Sequence, residues 1–247
     1  MNISYFTRYS VVIIQLILLV VTAGQASAWN DRTHMAVVEA AGAEKLSYLA
    51  VGADMAKERA PVERLNHYCN NPKGTVVTAN MILGQVPYFS TAEPESGHLY
   101  GAIIASLETY REQKKNPSKY ALYPLGYAMH YLGDLSMPLH NMEYGSFNKL
   151  HHGRNDNVVE NDPKLVQEIR SLMGKYPVKI DPQKFRDSLV AEVAAIAGRS
   201  IALSYQLQES KTSLMSKATA YEQLAQSASL LRAVLIALEV PVSDSNN

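Results

Sequence analysis

The chain has 247 residues, with 23 basic and 23 acidic side chains, 47% hydrophobic residues and a single cysteine. The even charge balance excludes the basic footprint with which a protein grips duplex nucleic acid, although bound divalent ions would add positive charge that a sequence count omits. One cysteine excludes an intramolecular disulfide, so a domain of this size is expected to rest on its core and on bound metal, with Cys69 a buried free thiol.

In chain order, residues 1–28 read as a secretory leader: Arg8 is the only charge, an apolar run extends from Val11 to Val21, and Ala26-Ser27-Ala28 forms a small-residue cleavage motif. The expectation is removal of this signal peptide, a new N-terminus at Trp29, and a secreted or periplasmic protein. An uncleaved anchor helix is the alternative, but the run is short for a span of roughly 20 residues. Residues 29–247 are long enough for one large domain, and no linker or repeat divides them. Helical periodicity is expected over 33–43, 97–115, 119–135, 163–175, 182–209 and 214–240, where apolar residues recur every three or four positions. Pro163 and Pro182 each follow an aspartate, the order expected when Asp caps a helix whose first turn begins with Pro. The strand-like run Thr75-Val76-Val77-Thr78 is short and isolated. The pattern predicts an all-α, single-domain helical bundle with loops at 70–96 and 141–151.

The segment from Met129 to His140 concentrates metal-ligand side chains. His130 and Asp134 are four apart, so on a helix they leave one face a turn apart, and His152 and Asp156 repeat that spacing. His140 lies between them, just after the helix-breaking Pro138. One such pair alone reads equally as a surface ion pair or a satisfied core histidine. Here the first pair sits in the apolar, aromatic stretch 121–128, where an unpaired charge costs on the order of several kcal/mol and metal coordination removes that cost. Imidazole nitrogen and carboxylate oxygen are donors that zinc accepts.

Trp29, His34, Gly52-Ala53-Asp54, Asn66-His67-Tyr68, His130-Tyr131-Leu132-Gly133-Asp134, Pro138-Leu139-His140 and His152 to Asp156 together resemble the zinc-dependent phospholipase C and single-strand nuclease superfamily. The resemblance implies a trinuclear zinc site in a cleft. By position, one zinc would take Asp54, His67, His130 and Asp134; a second His140, His152 and Asp156; a third the amine and carbonyl of Trp29, His34 and a bridging Asp134. It also implies Asp54 as the catalytic group that orients or deprotonates the attacking water. Asp156 is as in the nuclease branch, where many phospholipases have Glu. The stretch 29–34 lacks the glycines common in nucleases, and Met137 replaces a frequent Gln. His130-Tyr131-Leu132-Gly133-Asp134 and Asn157-Val158-Val159-Glu160 look more like the phospholipase branch.

The first expectation is therefore a secreted zinc-dependent phospholipase C-like hydrolase, with phospholipid as substrate and transient contact with a membrane surface. Tyr68, Tyr88 and Phe89 are candidates to flank its pocket, with ordinary packing as the competing reading. A single-strand-specific nuclease with the same metals is the alternative, with aromatics stacking bases of single-stranded nucleic acid. A non-catalytic, zinc-stabilised helical binding module is the alternative of another class; the three protein ligands of the second zinc leave a position open for water, which favours catalysis. His98 is expected to be structural or solvent-facing near a helix start. His151 is the rival of His152 but has no carboxylate four residues on, and Glu160 is expected on a solvated face, with a supporting role behind the ligands as the other reading.

Overall fold

Alternating apolar stripes with few strand formers produce helices throughout the chain. The computed structural model describes residues 29–57, 60–116, 118 and 120–243, so the expected leader lies outside the described residues. In order they form α1 (Asp31–Ala40), a 3-10 segment (Glu44–Val51), α2 (Gly52–Lys57), α3 (Pro61–Arg64), a 3-10 turn (Leu65–His67), α4 (Ala79–Gln85), a 3-10 turn (Val86–Tyr88), α5 (Leu99–Gln113), α6 (Tyr123–Leu135), a 3-10 turn (Pro138–His140), α7 (Ser146–Asp156), α8 (Leu165–Met173), α9 (Phe185–Glu209) and α10 (Lys217–Ala237). The result is an all-α, single-domain helical bundle.

α6 is its central rod. Every residue from Ala128 to Leu135 is buried, and the helix packs on α5, on the 44–51 segment, on α10 and on α2. A helix enclosed on all sides has no polar face for solvent, so the hydrophilic residues it carries, His130 and Asp134, are forced inward. Two glycines set how closely its neighbours come. A Cβ at Gly126 would lie 3.0 Å from the Leu49 side chain and carbonyl, and one at Gly133 would lie 2.5 Å from Nδ1 of His34. Seven residues apart, they clear one face of α6 for the 44–51 segment and α1.

α9 buries Phe185, Leu189, Val193, Ile196, Ala197 and Ile201 at helical spacing. It is the one described helix long and apolar enough to cross a membrane, and half of the qualifying window is buried inside the bundle.

The boundaries differ from the expectation in three places. The stretch 70–96 is not wholly loop: it holds α4, whose Met81 N–H is capped by the Thr78 hydroxyl at 3.3 Å, and the turn after it. The stretch 141–151 contains the start of α7, whose weakly apolar sequence gives little periodic signal. Asp162 and Asp181 do not cap helices that begin at the following prolines. Their carboxylates accept the N–H groups of Lys164 and Gln183, both at 2.9 Å, and the helices begin at Leu165 and Phe185. A short Asp side chain bonded two residues ahead makes a turn that competes with the helix rather than starting it.

Candidate metal centre

The i,i+4 geometry of α6 sets the first element of the site, with His130 Nε2 3.2 Å from Asp134 Oδ2. Three short elements converge on that pair. The turn 65–67 brings His67 Nδ1 to 3.0 Å from Asp134 Oδ2 and 3.1 Å from His130 Nε2. α2 brings Asp54 Oδ1 to 3.4 Å from His130 Nε2 and 3.7 Å from His67 Nδ1. α1 brings His34 Nε2 to 3.4 Å from Asp134 Oδ1, and its ring stacks on His130 at 3.7 Å between centroids. The two Asp134 oxygens thus face different partners, Oδ2 towards His67 and His130, Oδ1 towards His34 and, at 3.4 Å, His140 Nδ1.

A second cluster forms where the turn 138–140 meets α7. His140 Nε2 is 3.0 Å from His152 Nε2, which is 3.3 Å from Asp156 Oδ2. In all, three groups, His34 with His130 and Asp134, Asp54 with His67 and His130, and His140 with His152 and Asp156, hold their donor atoms within 4.8 Å of one another and can coordinate metal ions.

The donor set fits such ions. Zinc bonds of about 2.0–2.2 Å in a tetrahedron place ligand atoms about 3.3–3.6 Å apart, which brackets the centre of the observed spread. Many of these atoms are left unsatisfied: both nitrogens of His34, Asp134 Oδ1, His140 Nδ1 and both oxygens of Asp156 are buried without a hydrogen bond, and Asp54 Oδ1 meets the Lys57 ammonium. Burying polar groups in this way is costly unless something satisfies them. The far nitrogens are held by the protein. His130 Nδ1 donates to the Ala50 carbonyl at 2.7 Å, and His152 Nδ1 donates to Asn148 Oδ1 at 2.7 Å, an oxygen because Asn148 Nδ2 is spent on the Leu139 carbonyl. Each bond places the proton on Nδ1 and leaves the Nε2 lone pair facing its cluster.

Electrostatics follow from burial and mutual proximity. Burial pulls the His140 imidazole down to about 4, and burial with the neighbouring His140 holds His152 well below the usual histidine range. For Asp134, burial pushes the carboxyl up, but His130 and His140 outweigh it and hold it well below the usual range. Asp156 faces burial and the charge of Asp134, and its carboxyl is raised well above the usual range. At neutral pH His130, His140 and His152 are therefore neutral imidazoles, the form that binds metal, whereas for His67 burial is outweighed by hydrogen bonds to Asp134 and Glu63, which raise it. Asp54 and His152, both 8% exposed, are the most open of these side chains, whereas His34, His130, Asp134 and Asp156 are fully buried.

Other expected residues fall as follows. Trp29 is fully buried, with its indole N–H unpartnered. His98 is the residue before α5 and is buried, with neither ring nitrogen bonded. His151 lies off the cluster, its ring 4.7 Å from Phe147. Cys69 is buried, and burial pushes its thiol up to about 11. Tyr68 is half-buried with its hydroxyl on the Glu95 carbonyl at 3.2 Å, Tyr88 is exposed, and Phe89 packs against the core. Glu160 is half-buried, and its carboxylate accepts the backbone N–H groups of Arg32 and Thr33.

Sequence reasoning missed four groups. Lys57 places its ammonium on Asp54 Oδ1. Glu63 accepts from Tyr131 and, at 3.1 Å, from Asn66, and lies 3.5 Å from His67 Nε2 on the side of the ring away from the cluster. Asn148 and the Ala50 carbonyl orient His152 and His130. Glu63 to His67 and Asn148 to His152 have the same four-residue spacing that marked the ligand pairs, and that signal was available; no residue type announces a backbone carbonyl.

The molecule is thus a helical protein with buried metal-ligand clusters, consistent with a metal-dependent enzyme. No protein-family model matches the chain, and no curated protein matches it either.

Proposed function

We propose that this chain is a zinc-dependent phosphodiester hydrolase of the phospholipase C type, holding three zinc ions and releasing diacylglycerol and a phosphorylated head group. The observation that supports the reading is the presence of three His/Asp groups, each with a histidine that faces one of the two Asp134 oxygens. Several adjacent cations suit a substrate whose reacting group is anionic, more than they suit a purely structural role. In this reading Asp54, His67, His130 and Asp134 hold one ion, and His140, His152 and Asp156 a second. His34, Asp134 and the amine and carbonyl of Trp29, freed by leader removal, hold the third. When bound, the ions lower the pKa of coordinated water from about 9 towards about 7 and neutralise phosphoryl charge.

The chain's own groups supply the rest. Asp54 is catalytic: its carboxylate, with His152 the least buried of these side chains, orients the attacking water and takes its proton. Lys57, paired with Asp54, offers its ammonium to a phosphoryl oxygen as negative charge builds there. Met55, directly after Asp54, and Leu150, two residues before His152, are 71% and 72% exposed, which suits an acyl glycerol and a passing contact with a membrane surface.

The second reading is a single-strand nuclease, favoured by half-buried Tyr68 directly after His67, where an aromatic ring would stack a base. The exported protein, zinc-loaded, should be assayed in parallel on phosphatidylcholine vesicles and on single-stranded nucleic acid, with and without chelator. Chelator-sensitive release of phosphocholine, restored by zinc, supports the lipase. Cleavage of nucleic acid with lipid untouched replaces it with the nuclease, and no hydrolysis of either leaves a binding module.

A further inference from the structure

The turn that follows α7 reaches back to the start of α1. Glu160 Oε1 accepts the Arg32 N–H at 3.1 Å, while Oε2 accepts the Thr33 N–H at 3.0 Å and the Thr33 hydroxyl at 2.6 Å. The Arg32 guanidinium returns a bond to the Glu160 carbonyl at 2.9 Å. Next to it, Asn30 Nδ2 donates to Asn157 Oδ1 at 2.6 Å, and Asn157 Nδ2 donates to the Gly153 carbonyl inside α7 at 2.6 Å.

The first N–H groups of a helix have no partner four residues back, and a side chain close in sequence ordinarily satisfies them. Here Asn30, the residue before α1, makes no capping bond with its side chain. The cap comes instead from a residue 127 positions away, and its negative charge sits at the positive end of the helix dipole. The turn that supplies it begins directly after Asp156, and the segment it holds runs from buried Trp29 to His34, whose ring faces Asp134.

We infer that Glu160 is the positioning residue of the N-terminal metal subsite: by capping α1 it holds Trp29 and His34 against Asp134 and ties that subsite to the turn carrying Asp156. The inference rests on the proposal that Trp29 and His34 hold an ion. The capping itself, however, has a readout that needs no metal, because Trp29 is the only tryptophan in the chain and is fully buried.

The test uses the full chain expressed in an exporting host and recovered after processing, as wild type, Glu160→Ala, Glu160→Gln and Asn157→Ala. Zinc per chain, affinity for the last ion, acrylamide quenching of Trp29 in the metal-free protein and helical circular dichroism are measured together. Glu160→Ala should lose one ion, with about 10- to 100-fold weaker binding at that subsite, the usual effect of removing a group that orients ligands. The other two ions and the helicity should remain, and Trp29 should become several-fold more quenchable. Glu160→Gln keeps one acceptor oxygen for Thr33, so it should lie between wild type and Glu160→Ala; it also decides the matter if the alanine variant does not fold. Wild-type zinc content and wild-type quenching in Glu160→Ala, or in Glu160→Gln where only that variant folds, overturn the inference. If the wild type itself binds no third ion, the metal proposal fails. Unchanged quenching in the variants then overturns the capping role as well, whereas increased quenching leaves Glu160 as the clamp of Trp29 alone.

Discussion

Asp134 carries more of the site than any other side chain, because its carboxylate is fully buried and both oxygens are engaged by imidazoles from four different elements. Replacing it with Asn keeps the shape but removes the charge and one good donor oxygen. Asp134→Asn is expected to lose two of three zinc ions while remaining helical, and mass-spectrometric metal analysis with circular dichroism checks this; full metal occupancy would overturn the bridging role. Gly133 matters for the opposite reason, the absence of a side chain. A Cβ there would meet the His34 ring at 2.5 Å, so Gly133→Ala must push His34 away from Asp134. The expected result is a stability loss of about 1–3 kcal/mol in urea unfolding, together with loss of the ion assigned to His34. Retention of that ion would show that the ring moves without leaving the site.

At the scale of elements, the site is assembled from helix ends and 3-10 turns around one buried helix. α7 shows how an element both supplies and orients ligands: His152 and Asp156 share a face, and Asn148 Oδ1, one turn earlier on that face, accepts a hydrogen bond from His152 Nδ1. Asn148→Ala should therefore weaken zinc binding at the His140, His152 and Asp156 group by about 10- to 100-fold, read by competition with a chelator, with little effect on the ions held by α6. An equal loss at every subsite would mean that the substitution had disturbed the bundle rather than the histidine. α1 depends on a distant turn for its cap, so its register is a property of the packed molecule and not of its own sequence.

At the scale of the whole molecule, burying this many titratable groups makes metal and proton competitors. In the metal-free protein His140 is lowered to about 4 from an ordinary 6.5, and His130 and His152 are also lowered, so between those pH values the unfolded chain binds more protons than the folded one. Stability from these groups is present above pH 6.5 and is lost as pH falls through the folded values, on the order of 3 kcal/mol for His140 alone. Asp156 acts the other way: its raised carboxyl favours the folded state at low pH and opposes it as pH rises. His67, raised against burial by its hydrogen bonds to Asp134 and Glu63, acts with Asp156; the three lowered histidines outweigh that pair, so the melting temperature without metal should fall from pH 6.5 to pH 4, and more steeply in Asp156→Asn. A melting temperature constant or rising towards pH 4 would contradict the protonation states assigned to the site. The proposed third ion adds a demand on the chain's beginning. An α-amine with a reference pKa of about 7.7–8.0 gives up its proton to zinc at neutral pH, whereas an amide nitrogen does not. A protein that begins with Met before Trp29 should hold one ion fewer and hydrolyse far more slowly while keeping its helicity. Equal zinc content and equal rates in the extended and processed forms would remove Trp29 from the ligands.

Sequence alone determined the all-helical class and the two inward-facing pairs, His130 with Asp134 and His152 with Asp156. Both follow from helix geometry, which over four residues leaves little freedom. It also marked His34, Asp54, His67 and His140 by resemblance, but their meeting point was not a local property. Only the tertiary structure decided that His67 turns Nδ1 inward, that the two Asp134 oxygens face different histidines, and that Lys57 sits on Asp54. Likewise, α4 and the start of α7 lie where the pattern suggested loops, and half-buried Glu160 bonds the first turn of α1. The imidazoles around Asp134 and the Glu160 cap come from segments tens to more than a hundred residues apart. The close approach of the 44–51 segment to Gly126 and of His34 to Gly133 is of the same kind, and no local periodicity encodes that distance.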